Sequence, residues 1–408
     1  MAKNRKLTIL LIALSLLLLL PTISSTESVY DLDYDLNYFL NIKALLEENY
    51  FYEPTEEQLI EGAIQGLFQN LDENSQYYTI EEFQSLLEDV SGDFVGIGVY
   101  IKEENGSIIV TSPIEGSPAY KAGIKSGDKL VSVDGKNIKG MNIQEVVDLI
   151  KGKVGTTVKI GINRNQKNII FNIKRTMIRK NPIEYKILKD NIGYIKIGQF
   201  NQNTYDNLAP ILRKFDKEKI TNIIIDLRNN PGGLLSEVIK VSKQFIPEGP
   251  IVHIRYRGDV EETYYSTLKK PKYKLAVLIN ENSASASEIF AGAVQDTKIG
   301  TILGVTSYGK GTVQQIVPLP LGDGMKLTIA EYFTPNKRSI NKKGIKPDII
   351  VVNKKGTRDI QLEKAIEIMN WYKCNTIVML FFYILVYNCN RAEIGNSSVI
   401  LQLDYNSI

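Results

Sequence analysis

The chain has 408 residues, 43% of them hydrophobic and 23% charged, and this length predicts two or three domains rather than one core. Its 49 basic and 46 acidic residues nearly balance, so the charge gives no support for a nucleic-acid partner. Two cysteines near the C-terminus and a single histidine, His253, argue against a disulfide framework and against a zinc site.

Residues 1–27 have the pattern of an export signal. Three basic residues, Lys3, Arg5 and Lys6, precede an apolar run from Leu7 to Leu20, which is short for a membrane-spanning helix. We expect this segment to direct the rest of the protein out of the cytoplasm, to the periplasm or cell envelope. No clear cleavage site follows, so a cleaved signal and a retained membrane anchor are both open.

Residues 28–92 are predicted to be helical. Gln58 to Phe68 has apolar side chains at helical spacing. Thr79 followed by Glu82 is a capping-box pattern, which predicts the start of a further helix.

Residues 93–178 are predicted to form a small, mostly β domain, because short β-branched runs alternate with Gly, Asn, Asp and Pro turns. The predicted strands are at Val99 to Ile101, Ser107 to Thr111, Thr157 to Ile162 and Ile169 to Ile173. Two helical stretches, Pro118 to Ala122 and Ile143 to Ile150, lie between them.

Residues 179–370 are predicted to be an α/β domain. Strand Ile223 to Leu227 precedes helix Leu234 to Phe245, and strand Leu275 to Ile279 precedes helix Ser287 to Gln295. Strand followed by helix, repeated, predicts crossover units on a mostly parallel sheet.

Residues 371–408 follow neither pattern. Their apolar run, Ile377 to Tyr387, is too short to span a bilayer easily. We assign this tail no structural or functional role.

Ser285 is predicted at the corner between a strand and a helix. A developing oxyanion is favoured near the positive end of a helix, where the amide of Ala286 would be a free first-turn donor. The alternative is purely structural: Ser283, Ser285 and Ser287 offer helix caps, and Glu288 would complete a capping box.

Lys310 belongs to a near-match to a nucleotide-binding P-loop, in which Gly304, Gly309 and Lys310 have the required spacing. Gly311 replaces the Ser or Thr that would hold Mg²⁺, and the β-branched segment after it predicts a strand where a P-loop needs a helix. Flanking glycines would let the backbone approach another element closely. The alternative is a solvated loop lysine.

Two glycine segments complete the set of candidate sites. In Asp226 to Gly233, the amides of Gly232 and Gly233 could face an anion, although a simple glycine turn would also explain them. The segment Gly96 to Val99 could direct successive N–H groups at a peptide carboxylate beside a strand edge.

In this order, the four segments resemble the carboxyl-terminal processing (tail-specific) proteases over about residues 30 to 368. Supporting segments are Gly92 to Val99, Gly116 to Ile124 with Gly127-Asp128, Asp226 to Gly233, Tyr332 to Pro335 and Gly344 to Asp348. The resemblance implies an α/β multidomain protein. It comprises a helical N-terminal region, a PDZ domain at residues 93–178 and a crotonase/Clp-protease-like α/β protease core at residues 179–370.

The resemblance also implies roles for individual residues. Ser285 matches the family's nucleophile, Lys310 its general base and Gln314 the residue that orients the lysine; the amides of Gly232 and Ala286 match the oxyanion hole; and Gly96, Ile97, Gly98 and Val99 match the loop that holds a substrate tail. Lys151 departs from the pattern, because many relatives have Arg there, which puts an Arg-specific contact with the core in doubt.

The expected function is an exported serine endopeptidase. It would bind proteins or peptides with a free, apolar C-terminus and cleave near it through an acyl-enzyme, without metal, cofactor or nucleic acid. Membrane anchoring and homo-oligomerisation are open. A catalytically inactive PDZ scaffold is disfavoured by the intact Ser285, Lys310 and Gln314, and an acyl-CoA enzyme of the crotonase type by the export signal and PDZ domain.

Overall fold

The structure is a computed structural model that describes residues 26–372 except 354, 355 and 357, with side chains from residue 34 onward. None of the helices in this range is long and apolar enough to cross a membrane. The apolar runs Leu7 to Leu20 and Ile377 to Tyr387 lie outside the described residues. Export through residues 1–27 and the atypical tail at 371–408 therefore stay predictions.

The chain divides into two compact units, with the boundary between Tyr77 and Tyr78. The first unit contains helices α1 (Thr26–Asn49) and α2 (Glu56–Phe68) and most of strand β1 (Gln76–Tyr78). A capping box starts α2: Thr55 Oγ1 accepts from the Gln58 N–H at 3.2 Å, and Gln58 Oε1 accepts from the Thr55 N–H at 3.0 Å. Such boxes satisfy two helix-end donors reciprocally.

The second unit begins with helix α3 (Ile80–Ser91). Its predicted capping box is confirmed, because Thr79 Oγ1 accepts from the Glu82 N–H and the Glu82 carboxylate accepts from the Thr79 N–H. Gly92 ends the helix in the left-handed region at φ 73°, a conformation that favours glycine. The predicted helical character of residues 28–92 is thus confirmed, with one short strand added.

A small β domain follows α3. Its elements are β2 (Asp93–Gly96), β3 (Val99–Glu104), β4 (Ser107–Pro113), α4 (Pro118–Ala122), β5 (Lys129–Val133), β6 (Lys136–Asn137), α5 (Ile143–Ile150), β7 (Thr157–Arg164), β8 (Lys167–Lys174) and β9 (Thr176–Arg179). The main sheet has the order β3-β4-β5-β7-β8, and β6 pairs with β5. Strands β2 and β9 pair with each other in a separate antiparallel ribbon through which the chain enters and leaves the domain.

The α/β core contains the remaining elements. They are β10 (Ile183–Leu188), a 3-10 turn (Lys189–Asn191), β11 (Ile192–Ile197), α6 (Thr204–Lys217), β12 (Asn222–Asp226), α7 (Leu235–Ser242), β13 (Gly249–Tyr256), β14 (Glu261–Ser266), β15 (Lys274–Ile279), α8 (Ala286–Asp296), β16 (Gly300–Gly304), β17 (Thr312–Pro318), β18 (Gly324–Phe333), β19 (Ile349–Ile350) and a final helix α9 (360–372).

One sheet of the core has the order β10-β11-β12-β15-β16-β19. Its pairs from β11 to β19 are parallel and only β10 is antiparallel, which confirms the predicted mostly parallel sheet. A second, antiparallel sheet has the order β17-β18-β13-β14 and was not predicted. Its strands are only partly buried, so they lack the continuous apolar runs that mark the central strands.

Apolar side chains cover both faces of the parallel sheet. Phe200, Phe215, Phe245 and Phe290 belong to the larger cluster on one face, and Ala365 and Met369 of α9 belong to the cluster on the other. Strand β12 is buried along its whole length. Parallel strands end at the same edge of a sheet, so the loops after β12 and β15 meet there, as expected for functional loops in α/β folds.

Candidate active site

Ser285 is the residue between strand β15 and helix α8, at the N-cap position of the helix. Its φ of 53° and ψ of −114° are unfavourable for a residue with a side chain, so the surrounding contacts must hold this corner in place. Ser283 does not cap the helix. Its hydroxyl donates to the carbonyl of Leu227 at 2.8 Å and accepts from the N–H of Asn280, which joins the loops after β12 and β15.

The buried carboxylate of Glu288 joins the serine and lysine segments. Its Oε2 accepts from the backbone N–H groups of Ser285 and Lys310, each at 2.9 Å. Its Oε1 accepts from the Ser307 hydroxyl at 2.6 Å and the Gly309 N–H at 2.7 Å. Burial raises the pKa of Glu288, and these four hydrogen bonds oppose that shift. The sequence predicted only the capping contact, because the other donors lie on a distant segment.

Tyr332 on β18 contacts the same two segments. Its buried hydroxyl is within hydrogen-bonding distance of the backbone carbonyls of Ser285, at 3.1 Å, and of Lys310. Burial, and then the nearby charge of Glu288, raise the pKa of Tyr332 well above its ordinary value, so the phenol stays a donor. In the sequence Tyr332 was recognised only as part of a family segment.

The glycines beside Lys310 allow the close backbone approach that the sequence predicted. A methyl group on Gly311 would lie 2.5 Å from the backbone nitrogen of Asn341, and one on Gly309 would lie 3.0 Å from that of Gly344. Gly309 also has a φ of 93°, which favours glycine. Strand β17 follows, as predicted, where a P-loop would require a helix.

Ser285 and Lys310 line a single cavity of about 230 Å³, together with Ala286, Gly233 and Gln314. The apolar part of its lining includes Leu86, Val90, Leu235, Ile289 and Ile316. Within the described residues, no group of three or more His, Cys, Asp or Glu is placed to hold a metal ion. The cavity thus combines a hydroxyl, an amine and the N-terminal residue of helix α8, Ala286, with an apolar wall.

Gln314 has a fixed carboxamide in this cavity. Its Nε2 donates to the Thr312 hydroxyl at 2.8 Å and the Thr328 hydroxyl at 3.1 Å. The pairing of β17 with β18 shifts register between Val313 and Gln314, so simple alternation along the strand does not relate Gln314 to Lys310. The orienting role of Gln314 stays a prediction.

The turn at Gly232 lies against the serine. A methyl group on Gly232 would be 2.8 Å from Ser285 Cβ and 3.0 Å from the Ala286 nitrogen. The N–H of Gly232, however, donates to the side-chain oxygen of Asn230 at 2.9 Å, so this amide is not free to face the cavity. An Asn two residues before a glycine is a known turn signal that the sequence interpretation did not use.

The segment predicted to hold a substrate tail lies at the start of β3. Gly96 ends β2, Ile97 is buried, and Gly98 has a φ of 79° with its Cα against Ser117. A groove of about 70 Å³ is lined by this segment and by apolar side chains of β3 and α5. Those side chains are Val99, Ile101, Val147 and Ile150.

Lys151 also lines this groove and reaches out of the β domain. Its Nζ lies 2.8 Å from Oε2 of Glu88, on helix α3, and both side chains are partly buried. Leu86 and Val90 of the same helix line the cavity beside Ser285. Lys151 therefore makes one ion-pair contact with α3. This is the position at which many relatives have Arg and at which the sequence put an Arg-specific contact in doubt.

Arg228 holds the loop after β12 to the start of α9. It bonds the carboxylates of Asp226 at 2.6 Å and Asp359 at 2.8 Å, and the Tyr194 hydroxyl donates to Asp226. Burial works to raise the pKa of Asp359, but hydrogen bonds led by those from Arg228 outweigh it and lower the pKa to about 2. This network was not predicted, because its partners are far apart in sequence.

Comparison with known proteins assigns two families to parts of the chain. Residues 191–351 match the model of peptidase family S41, and residues 109–164 match that of a PDZ domain. The carboxy-terminal processing protease CtpA of Bacillus subtilis is 40% identical over 311 residues, which cover 74% of this chain and 66% of CtpA.

Two further proteins are similar. The carboxy-terminal-processing protease of Bartonella bacilliformis is 39% identical over 310 residues, covering 73% of this chain and 70% of the relative. The chain thus spans about two thirds of the length of these curated relatives. The solved photosystem II D1 C-terminal processing protease is 27% identical with a TM-score of 0.47, covering 79% of this chain and 89% of that one.

Proposed function

Because the chain belongs to the carboxy-terminal processing proteases of peptidase family S41, we propose that it is an exported serine endopeptidase. It holds the C-terminal tails of protein substrates in its PDZ domain and cleaves near them. The observation that carries this proposal is the cavity shared by Ser285 and Lys310. Export is supported by the basic residues and apolar run of the first 27 residues.

Catalysis uses a Ser-Lys dyad. A lysine amine ordinarily has a pKa of about 10.4 and is therefore protonated at neutral pH. Lys310 acts as the base when burial and bound substrate favour its neutral form. The amine takes the proton of Ser285 as the hydroxyl oxygen attacks the peptide carbonyl, and it then gives that proton to the leaving amine. Water, with Lys310 again as base, hydrolyses the acyl-enzyme. Gln314 is proposed to orient the lysine.

Backbone amides stabilise the tetrahedral oxyanion. Ala286 is the first residue of α8, and no partner for its N–H is found in the described part of the chain. It lies beside the turn formed by Gly232 and Gly233, which would provide a second donor. Donors fixed at a helix N-terminus before the reaction stabilise negative charge without reorganisation.

The PDZ domain selects the substrate. Backbone N–H groups of Gly96 to Val99 would bind the free carboxylate, while the tail adds a strand beside β3. The apolar groove between β3 and α5 suits an apolar last residue. Substrates are therefore proteins or peptides with a free, apolar C-terminus.

Cleavage of a peptide that has a free, apolar C-terminal tail tests this function. We expect Ser285→Ala and Lys310→Ala each to lower kcat by about 10³-fold or more, and Lys310→Arg to do the same because a guanidinium stays charged. Lys343→Ala, which changes an exposed lysine of a neighbouring loop, is the matched control. Turnover equal to the parent in both Ser285→Ala and Lys310→Ala would reject the dyad.

Two further results would distinguish the alternatives. Equal cleavage of a peptide and its C-terminally amidated form would reject carboxylate recognition by the PDZ domain. Tight binding of the tailed peptide without any cleavage by the parent would indicate a PDZ scaffold instead of a protease.

A further inference from the structure

Lys326 lies on strand β18, and its side chain lines the cavity beside Ser285. In the pairing of β18 with β17, Lys326 is opposite Ile316. Two residues further along β18, Thr328 is opposite Gln314 and accepts a hydrogen bond from its carboxamide. Side chains two residues apart on a strand point to the same face of the sheet. The same sheet face therefore presents the Lys326 amine and the Gln314 carboxamide to the cavity.

The charged groups around this cavity have one sign. Among the described residues that line it, Lys310 and Lys326 are the charged ones, and no carboxylate belongs to the lining. The remaining wall includes the apolar side chains of Leu86 and Ile316. A cation beside apolar walls attracts an opposite charge more strongly than a cation in bulk water does. The cavity is thus suited to a substrate segment that brings a negative charge.

The aromatic ring of Tyr78, on β1, contacts the Lys326 amine. Nζ lies 5.3 Å from the ring centre, within the range of a cation–π interaction, and both side chains are partly buried. No ion pair between Lys326 and an acidic side chain is found in the part of the chain that the structure describes. A ring face leaves the charge of the ammonium group uncompensated. A substrate that fills the cavity removes water from this group, which then needs an acceptor from the substrate itself.

We propose that Lys326 is a specificity-determining residue that binds an acidic side chain, Asp or Glu, of the substrate. This inference rests on the protease function proposed above and adds a charge preference near the cleaved bond to the selection of an apolar tail. Lys326 is two residue pairs, about 7 Å, along the sheet from Gln314. An extended substrate advances about 3.3 Å per residue, so the acidic residue lies within about three residues of the scissile bond.

Matched peptides test this preference. All have the same free, apolar C-terminal tail, and each has one Glu or one Gln, placed in turn at every position within about three residues of the scissile bond. At one position, we expect the parent to prefer Glu over Gln by about three- to tenfold in kcat/KM. The difference should lie mostly in KM, because an ion pair remote from the reacting bond forms equally in the ground state and the transition state. It should shrink in about 1 M salt, which screens charges beyond about 3 Å.

Variants assign the preference to Lys326. Lys326→Met should lower kcat/KM for the Glu peptide to the value for the Gln peptide, Lys326→Arg should keep the preference, and Lys326→Glu should reverse it in favour of a Lys peptide. Tyr78→Leu should weaken the preference and Tyr78→Phe should keep it, because Phe retains the ring face. The matched control is Lys274→Met, an exposed lysine at the start of β15, which should keep the preference of the parent.

The possible outcomes separate this inference from the proposed function. Equal cleavage of the Glu and Gln peptides by the parent at every position, or an unaltered preference in Lys326→Met, would overturn the inference and leave the protease function standing. A parent that cleaves none of the peptides would overturn both. If Lys326→Met does not fold, the parent decides: a preference for Glu that is independent of salt would overturn the ionic contact.

Discussion

The backbone N–H of Lys310 donates a 2.9 Å hydrogen bond to Glu288, on the same carboxylate oxygen that accepts from the N–H of Ser285. A single buried atom therefore bridges the proposed base and the proposed nucleophile. Tyr332 contacts the carbonyl groups of the same two residues. The separation of the two catalytic segments is set by these shared partners, since the segments themselves are loops.

Glu288→Gln should lower both stability and activity. An amide keeps one acceptor oxygen but places an NH₂ group against two of the four donors that the carboxylate now accepts from. We expect a loss of about 3 kcal/mol in the free energy of unfolding, together with a lower kcat. Urea denaturation followed by peptide cleavage measures both.

The control for this change is Glu281→Gln, at an exposed position in the loop that precedes Ser285. It should alter the free energy of unfolding by less than about 0.5 kcal/mol. A Glu288→Gln protein as stable and as active as this control would refute the bridging role.

Gly311→Ala should separate the dyad. The added methyl would lie 2.5 Å from the Asn341 backbone nitrogen, so the segment carrying Lys310 must shift. Misplacing a catalytic group by about 1 Å can lower the rate about 10²-fold, so kcat should fall 10–100-fold. Gly66→Ala, where no atom lies within 4 Å of the added methyl, should leave kcat unchanged. Comparable kcat values in the two variants would contradict the prediction.

The ion pair between Lys151 and Glu88 should couple tail binding to cleavage. Lys151 lines the groove predicted to hold the substrate tail, and Glu88 lies on helix α3, whose side chains line the cavity beside Ser285. Glu88→Gln should reduce the stimulation of cleavage by a bound tail by about two- to fivefold, the range expected of a partly exposed pair. The exchanged pair Lys151→Glu with Glu88→Lys should recover part of it. Unaltered stimulation in Glu88→Gln would exclude this contact as the coupling element.

Deleting residues 93–178 tests whether the PDZ domain gates the cavity at all. We expect long substrates with apolar tails to be cleaved more slowly, while Ser285 still reacts with a small aldehyde. Unchanged cleavage of long substrates would rule out gating.

Acid should weaken the attachment of α9. The pKa of Asp359 is lowered to about 2 in the folded protein, below its usual value of 3.8. A carboxylate with a depressed pKa stabilises the fold above its ordinary value, and that contribution is lost as the pH falls from about 4 to 2. Asp359→Asn should be less stable than the parent at pH 7, and the difference should shrink toward pH 2. A difference that did not change with pH would contradict the assignment of this stabilisation to the charged Arg228–Asp359 pair.

Local features of the fold were predictable from the sequence. The Thr79 and Glu82 capping box, the strand after Gly311 and the parallel strands around Ile223 and Leu275 follow from short-range spacing, and the structure confirms them. In each case the relevant partners lie within a few residues or share a simple apolar pattern.

Long-range and side-chain details were not predictable. Glu288 reaches Gly309, and Arg228 reaches Asp359, only because the sheet brings distant loops to one edge. The register shift at Gln314 and the capture of the Gly232 amide by Asn230 depend on geometry that spacing alone does not contain. The family pattern located segments that the structure brings together, but the Gly232 N–H that it assigned to the oxyanion hole is bonded to Asn230.

The β2–β9 ribbon has a wider consequence. Asp93 is paired with Arg179, and the Lys180 N–H donates to the Gly92 carbonyl at 2.9 Å, so the two ends of the inserted domain meet. Relative to the core, the PDZ domain is thus a long insertion whose two ends are held together by the β2–β9 pairing and by this hydrogen bond. A domain that binds a different C-terminal sequence could be inserted between the same two residues without changing the distance between the chain segments that flank it. In the proposed function, substrate selection and peptide-bond cleavage are thus encoded in separate segments of one polypeptide.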